Sequence, residues 1–245
     1  MAHARRHGWS LRRPFVAMLA LLGLWAVASR SAQAASLNEA VLGELLETAG
    51  WTPISSDPSV GLSMYEKHLS TLGLTGYMGV RDLPTELDVD KLWALIVNID
   101  EHVHVGDKLV ESKVFARHDG GMDSYQVLRA PPLMASAQRY WFVHSHIESD
   151  VEGTKGRQRR CWSHIPSALA AAERATVQAR HPNATLISVT HGCWEVIPAA
   201  PGAPARLRYV TVSDPGGTLA RKAVQLLTTR TLPENMANFV KHAQQ

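Results

Sequence analysis

The sequence predicts an α+β protein in which one curved antiparallel β-sheet wraps around a long C-terminal α-helix and encloses a hydrophobic cavity. Three observations predict this arrangement. About six β-type runs follow one another between Lys108 and Ser213, helical patterns stand near both ends, and one long amphipathic pattern reaches to about Val240. Strands grouped in one run, with helices at the ends, are typical of an α+β fold with a single sheet. A sheet that grips a long helix leaves an interior of the kind in which apolar ligands bind.

The individual elements are predicted from hydrophobic period and turn chemistry. Helices are expected from the capping box Ser36-Leu37-Asn38-Glu39 to about Ala49, over Thr85–Asn98 and over the Ala-rich segment Ser167–Ala179. Strands are expected over Ser59–Leu69, Leu74–Arg81, Lys108–Arg117, Ser124–Ala130, Gln138–Ile147, Gly156–His164, Leu186–Ile197 and Ala205–Ser213. Gly120-Gly121 is predicted to form a hairpin turn.

The last helix is distinctive because its inner face is apolar but built largely of small residues. Asp214 is placed to cap it, and Pro215-Gly216-Gly217 supplies the preceding turn. A helix that only fills a core would more often carry bulky side chains, so this composition indicates a space beneath the helix. Pro233 is expected to weaken it. The inner stripe comprises Leu219, Ala220, Ala223, Val224, Leu227 and Thr231.

Residues 1–34 have the features of an export signal. A basic region of four arginines precedes the apolar run Phe15–Ala28, and Ala32-Gln33-Ala34 is a small-residue cleavage pattern. The run is too short for a membrane-spanning helix, and Arg12-Arg13 resembles a twin-arginine signal. We therefore expect cleavage near Ala34, a periplasmic or secreted location in a bacterium, and a single domain over 35–245.

This leader carries the excess positive charge. Five of the 25 basic residues and none of the 22 acidic residues lie in it, so the formal charge of +3 becomes −2 without it. A chain with that balance is not a basic nucleic-acid binder, and we expect no nucleic-acid partner. We interpret the remaining basic cluster as a solvated strand edge rather than a contact for an anionic membrane. That cluster is Lys155, Arg157, Arg159 and Arg160.

Four stretches carry a resemblance to a known family: Pro84–Trp93, Leu109–Val114, Ala137–Val143, and Tyr209–Gly217 with the last helix. With them, the sequence over roughly residues 40–242 resembles the StAR-related lipid-transfer (START) family of the Bet v 1-like, or SRPBCC, helix-grip superfamily. The resemblance implies a tunnel for one hydrophobic molecule under a lid formed by the C-terminal helix, without cofactor or catalysis. Sterol-type members hold a buried acid and a buried arginine, whose positions fall here at Gln126 and Ser145. Because neither residue is charged, we expect recognition that differs from sterol binding.

The expected ligand contacts follow from strand alternation around Arg139 and from the inner stripe of the last helix. A buried arginine needs an anion or a hydrogen-bonded partner, although a salt bridge at the sheet rim is an alternative for Arg139. For Trp141 and Val143 the alternative is ordinary core packing. Alternation places Tyr140, Phe142, His144 and His146 on the other face. The expected contacts are Gln126, Arg139, Trp141, Val143, Ser145, Trp194, Tyr209, Thr211, Ala223, Leu227 and Thr231.

Cysteine and histidine residues suggest further chemistry. Cys161 and Cys193 would either form a disulfide in an oxidising compartment or remain two buried thiols, and the sequence leaves both open. His144 and His146 share a strand face, as two metal ligands would, and His102 and His104 repeat the spacing. No third ligand is evident, so we interpret these histidines as surface residues and expect no metal and no cofactor.

The sequence favours an exported protein that sequesters a hydrophobic small molecule, with a lipid as the leading candidate. Transient membrane contact and a monomeric state are expected. The alternative is a cavity enzyme of polyketide cyclase or hydrolase type, in which Arg139, Gln126 and Tyr209 would steer proton transfer. A third interpretation is a structural protein whose own side chains fill the interior. Nucleophile-elbow and phosphate-loop motifs are both missing from the sequence, which favours binding over catalysis.

Overall fold

One large antiparallel sheet and a long C-terminal helix make up most of the described chain. The computed structural model describes residues 35–106, 108–129, 138–166, 169–214 and 221–245, but no side chain at 221–224 and 226–227. The helices are α1 (35–46), α2 (Val89–Val97), α3 (His102–Val105), α4 (Ala171–Arg180) and α5 (Arg221–Ala243). The strands are β1 (Thr52–Asp57), β2 (Leu62–Leu69), β3 (Leu74–Asp82), β4 (Leu109–His118), β5 (Gly121–Arg129), β6 (Gln138–Ser149), β7 (Gln158–His164), β8 (Thr185–Leu186), β9 (Val189–Ile197) and β10 (Arg206–Asp214). None of the helices in this part of the chain combines the length and apolarity that a membrane span requires.

The strand order places the last strand in the middle of the sheet. That order is β1-β2-β3-β10-β9-β7-β6-β5-β4, with antiparallel pairing between neighbours, while the short β8 pairs in parallel with β6. The long helix α5 therefore follows a central strand in the chain rather than an edge strand. The curved sheet and this helix confirm the predicted α+β helix-grip fold.

Several elements differ from the predicted ones. The sequence does not predict α3, and the predicted strand Leu186–Ile197 is divided between β8 and β9. Two further differences have local reasons. The sequence does not predict β1, because Pro53 and several polar residues lower its strand character. It forms an edge strand with an irregular register between Pro53 and Ser55, where such residues are tolerated. Helix α2 begins at Val89 rather than Thr85, because the Asp88 side chain accepts a hydrogen bond from the Lys91 backbone N–H at 3.0 Å.

Apolar side chains pack against both faces of the sheet. We call the face toward α2 and α5 the inner face, and the face toward α1 and α4 the outer face. The largest buried cluster lies on the inner side and includes Leu92, Ile96, Leu232 and Met236. The outer side carries one cluster under α1, with Val41, Leu45, Cys161, Cys193, Val210 and Val212, and another under α4, with Tyr125, Tyr140, Phe142 and Val177.

Gly79 of β3 permits a close approach between α5 and the sheet. A Cβ at this position would lie 2.5 Å from Leu232 Cδ2 and 2.6 Å from Met236 Sδ, closer than real side chains come. Leu232, Met236 and Val240 are themselves almost completely buried. The C-terminal half of α5 is therefore anchored directly on the strands beneath it.

Candidate functional site

A cavity of about 280 Å³ lies between α5 and the inner face of the sheet. Its walls come from β3, β5, β6, β7, β9 and β10, from α3, and from the described part of α5. The volume is near the lower end of the roughly 300–1,000 Å³ of small-molecule sites. Of the predicted inner stripe, Thr231 lines the cavity, whereas Leu219, Ala220 and the side chains of Ala223, Val224 and Leu227 lie outside the described residues.

Stacked aromatic rings form one wall of the cavity. Trp194 and Tyr209 stand opposite each other on β9 and β10, with ring centroids 4.0 Å apart and an angle of 10° between the planes. Trp162 and Phe239 extend this surface, with centroids 5.8 Å from Tyr209 and 5.0 Å from Trp194, respectively. Gly192 leaves room for Trp162, because a Cβ there would lie 2.4 Å from Trp162 Cζ2. Trp162 is inclined by 31° to Tyr209 and Phe239 by 50° to Trp194, so the result is a contoured, largely apolar surface suited to an apolar ligand.

Arg160 of β7 brings a buried positive charge to this cavity, with only 4% of its surface exposed. Its Nη2 and Nε donate to Ser145 Oγ at 3.1 and 3.3 Å, and its Nη1 donates to the Ile96 carbonyl at 3.1 Å. Among the described residues, no Asp or Glu lines the cavity or forms an ion pair with this guanidinium. Burial lowers the pKa of Arg160 to about 9, so it remains charged at neutral pH.

Hydrogen bonds fix the polar groups beside Arg160. The Nε2 of His102 lies 3.1 and 3.3 Å from two backbone carbonyls near the end of α2, so Nε2 carries the proton and Nδ1 is an acceptor. Gln126 Nε2 donates to that Nδ1 at 3.1 Å and to Ser112 Oγ at 3.0 Å. Burial, together with the charge of Arg160, lowers the pKa of His102 to about 3. The imidazole is therefore neutral, and both of its nitrogens are engaged.

Arg160 is the buried charged group of the described wall, because the other ionisable groups of that wall are either neutral or more exposed. Burial raises the pKa of Tyr209 to about 12, so the phenol stays neutral. Lys108 lines the cavity from a more exposed position and pairs with Glu234, the two side chains being 43% and 53% exposed. The described cavity thus combines an aromatic wall, neutral polar groups and one deep cation.

The structure brings most of the predicted contact residues together. Ser145 lies directly behind the wall and accepts hydrogen bonds from Arg160. Arg139 is buried but does not line the cavity, and its Nη1 donates to the Gln138 carbonyl at 3.2 Å. Ala223 and Leu227 belong to α5, but their side chains lie outside the described residues. Contact with a ligand remains a prediction for every residue of the predicted set. The predicted residues that line the cavity are Gln126, Trp141, Val143, Trp194, Tyr209, Thr211 and Thr231.

The interpretation of the basic cluster as a solvated strand edge is wrong for Arg159 and Arg160. Both are buried, because β7 lies between β6 and β9 and is covered on both faces. Arg160 points inward to the cavity, whereas Arg159 points outward and donates to Glu195 at 3.0 Å. Arg160 also meets Ser145, the position at which the family resemblance places a buried arginine. An arginine from the neighbouring strand therefore occupies the space beside that position.

Cys161 and Cys193 form a disulfide on the outer face, directly behind the cavity wall. They are opposite each other on β7 and β9, with Cα atoms 4.0 Å apart. Their neighbours on the same strands, Arg160 and Trp194, are also paired and point inward. The structure thus selects the disulfide from the two alternatives that the sequence leaves open.

The histidine pairs differ in environment. His102 is a buried wall residue rather than a surface residue, because its ring reaches two backbone carbonyls of α2 and packs edge-on against Phe239, with ring centroids 5.0 Å apart. His144 is exposed, and its Nδ1 lies 2.6 Å from Asp123 Oδ1, while His118 Nε2 lies 2.9 Å from Asp123 Oδ2. The ligand atoms of these three side chains fall within 4.8 Å of one another, as a metal site would require. Sequence reasoning missed Asp123 because it faces His144 from the neighbouring strand β5.

Solved structures of StAR-related lipid-transfer proteins share this fold. Human STARD10 matches with a TM-score of 0.63 at 14% identity, covering 84% of this chain and 78% of that chain. Human StAR-related lipid transfer protein 5 matches with a TM-score of 0.63 at 14% identity, covering 89% and 97%. A STAR-related lipid transfer protein fragment from Xanthomonas axonopodis matches with a TM-score of 0.59 at 16% identity, covering 80% and 99%. No family model and no curated protein matches the sequence. The likeness confirms the START-like, helix-grip fold that the sequence predicts.

Proposed function

We propose that this protein binds one hydrophobic small molecule, a lipid being the leading candidate, in the cavity beneath α5. The observation that carries the proposal is the aromatic wall of the cavity, in which Trp194 stacks on Tyr209 and Trp162 packs beside Tyr209. Burying a ligand's apolar surface there contributes about 25 cal/mol per Å², so few polar contacts are needed for retention. The lipid-transfer proteins with which the chain shares its fold support the same conclusion.

The proposed cycle begins with transient contact between the protein and a membrane. A lipid enters beneath α5, and the helix then shields it from water. Leu232 and Met236 anchor the C-terminal half of α5, so opening involves the part of the helix before them. Pro233 cannot form the backbone hydrogen bond to the turn that precedes it in α5, which makes that preceding turn the expected point of bending. We propose that the protein acts as a monomer.

Binding is favoured over the cyclase or hydrolase alternative by the state of the cavity's polar groups. A general acid or base works best when its pKa lies near the working pH. His102 has a pKa of about 3 and both nitrogens bonded, while the pKa of Tyr209 is about 12. Arg139, which the enzymatic alternative places in the cavity, does not line it. None of these candidate groups is therefore suited to proton transfer at neutral pH.

Mass spectrometry of the purified protein tests the proposed function. Native spectra should contain an added lipid mass that disappears under denaturing conditions. Protein that purifies empty should take up a fluorescent lipid from vesicles. A protein that neither carries nor takes up any lipid would contradict the proposal and favour an interior that serves packing alone.

Replacing Thr231 with tryptophan should weaken lipid uptake by at least about ten-fold, because the larger side chain would occupy the cavity from α5. Arg230→Trp is the matched control, since Arg230 is the exposed neighbour on the same helix. Uptake is measured by fluorescence titration, and circular dichroism checks that both variants fold. Equal uptake by the two variants would contradict the placement of the ligand beneath α5.

We also infer that the protein is exported and processed near Ala34. The Cys161–Cys193 disulfide supports this, because disulfides persist in oxidising compartments. When the full chain is expressed in a bacterium, N-terminal sequencing of periplasmic material should begin near residue 35. Replacing Arg12 and Arg13 with lysine should retain the precursor in the cytoplasm if the twin-arginine route is used. An uncleaved chain in the cytoplasm of unmodified cells would overturn the export assignment.

A further inference from the structure

We propose that the ligand carries a carboxylate, and that this group binds Arg160 while the apolar remainder lies against the aromatic wall. The inference rests on the proposed function and adds the chemical class of the ligand. It makes the cavity a site for a single-headed acidic amphiphile. The guanidinium is the group that sets this preference, because it is the buried cation of the described wall, whereas Lys108 is more exposed and paired with Glu234.

The hydrogen bonds of Arg160 leave part of its capacity unused. A guanidinium has five N–H donors. Three hydrogen bonds, two to Ser145 Oγ and one to the Ile96 carbonyl, account for three of them. Both of these partners are neutral, so neither compensates the charge. Burying an unpaired cation is costly, and an anion entering the cavity would remove that cost.

The outer face of the same strand provides a contrast within this protein. Arg159, the neighbour of Arg160, donates to the carboxylate of Glu195 at 3.0 Å. Arg157 donates to the same carboxylate at 2.7 Å, and Arg208 lies 2.7 Å from its other oxygen. These outward arginines have their anion inside the protein. Arg160 has none among the described residues, and its side chain is the one that meets the cavity.

The surroundings of Arg160 favour a carboxylate over a phosphate. A carboxylate carries one negative charge and matches the two-pronged geometry of a guanidinium. A phosphate monoester carries a charge between about −1.5 and −2 at neutral pH, and would need a second cation. Lys108 is the other cation of the described wall, and it is already paired with Glu234. Trp162, whose ring centroid lies 5.7 Å from the guanidinium, begins the apolar surface for the ligand's tail.

Binding of three ligands with the same chain tests the inference: dodecanoic acid, dodecanol and dodecyl phosphate. Binding to the purified protein is measured by calorimetry and by tryptophan fluorescence at neutral pH. Dodecanoic acid should bind about ten- to a hundred-fold more tightly than dodecanol, the range expected for a charged hydrogen-bonded pair. In Arg160→Met the acid should fall to the affinity of the alcohol, while the alcohol should change little. Arg160→Lys keeps the charge but loses the two-pronged geometry of the guanidinium, so it should retain a smaller preference for the acid over the alcohol. This variant replaces Arg160→Met in the test if the methionine variant does not fold.

The outcomes separate this inference from the proposed function. Equal binding of acid and alcohol by the unmodified protein would overturn the carboxylate assignment and leave hydrophobic ligand binding intact. An acid preference that persists in Arg160→Met, or that stays undiminished in Arg160→Lys, would overturn the role of Arg160. Tighter binding of dodecyl phosphate than of dodecanoic acid would replace carboxylate by phosphate. If none of the three binds and no lipid co-purifies, the proposed function fails together with the inference.

Discussion

Replacing Glu195 with alanine is expected to lower the free energy of unfolding by at least about 3 kcal/mol, the cost typical of removing one partner from a buried ion pair. Glu195 is fully buried, and its carboxylate pairs with three arginines at 2.7, 3.0 and 2.7 Å. Without it, Arg157, Arg159 and Arg208 would keep their charges close together on the outer face, where little water reaches them. Urea unfolding followed by circular dichroism measures the loss.

Glu152→Ala is the matched control for this prediction. Glu152 pairs with Arg157 and with Arg159 Nη2, the latter at 3.3 Å, but its side chain is 64% exposed. Its removal should therefore cost no more than about 1 kcal/mol, as is usual for surface ion pairs. Similar losses for the two variants would show that the buried carboxylate does not hold this network together.

Stability should fall steadily as the pH is lowered from about 6.5 to 4, because of two buried histidines. Burial is the main cause that lowers the pKa of His102 to about 3 and of His191 to about 4. An unfolded histidine titrates near pH 6.5, so in this window the unfolded chain binds more protons than the native protein. Each histidine can then reduce the free energy of unfolding by up to about 1.4 kcal/mol per pH unit. Unfolding in urea at several pH values gives the slope.

Two glutamine variants assign that slope to particular residues. His102→Gln should make the pH dependence shallower, because it removes the group that the native protein keeps neutral. His104→Gln should leave the slope unchanged, since His104 is exposed. The assignment to His102 is wrong if both variants keep the slope of the unmodified protein.

The fold was largely predictable because its signals are local. The alternation of β-type runs and the long final amphipathic pattern depend on neighbouring residues, and they match β4 to β7, β9, β10 and α5. The order of strands across the sheet does not follow from such patterns. The pairing of β3 with β10, which places the last strand in the middle, joins segments that are far apart in the chain.

The candidate site was predicted less completely than the fold, because its polar chemistry depends on which strands are neighbours in the sheet. Arg159 and Arg160 look alike in the sequence, and only the position of β7 between β6 and β9 shows that both are buried on opposite faces. Alternation from Arg160 to Trp162 could have placed both on one face. The partner that distinguishes Arg159 is Glu195, a residue on a different strand. His102 was misplaced because α3, a single turn, gives no periodic signal.

The disulfide between β7 and β9 has a consequence for what the cavity can recognise. Side chains alternate between faces, so sliding one of these strands by a single residue would exchange its inner and outer side chains. Cys161 would then lose Cys193, and Arg160 and Trp162 would turn away from the cavity. The disulfide on the outer face therefore helps to fix the strand register that presents these side chains to the cavity on the inner face.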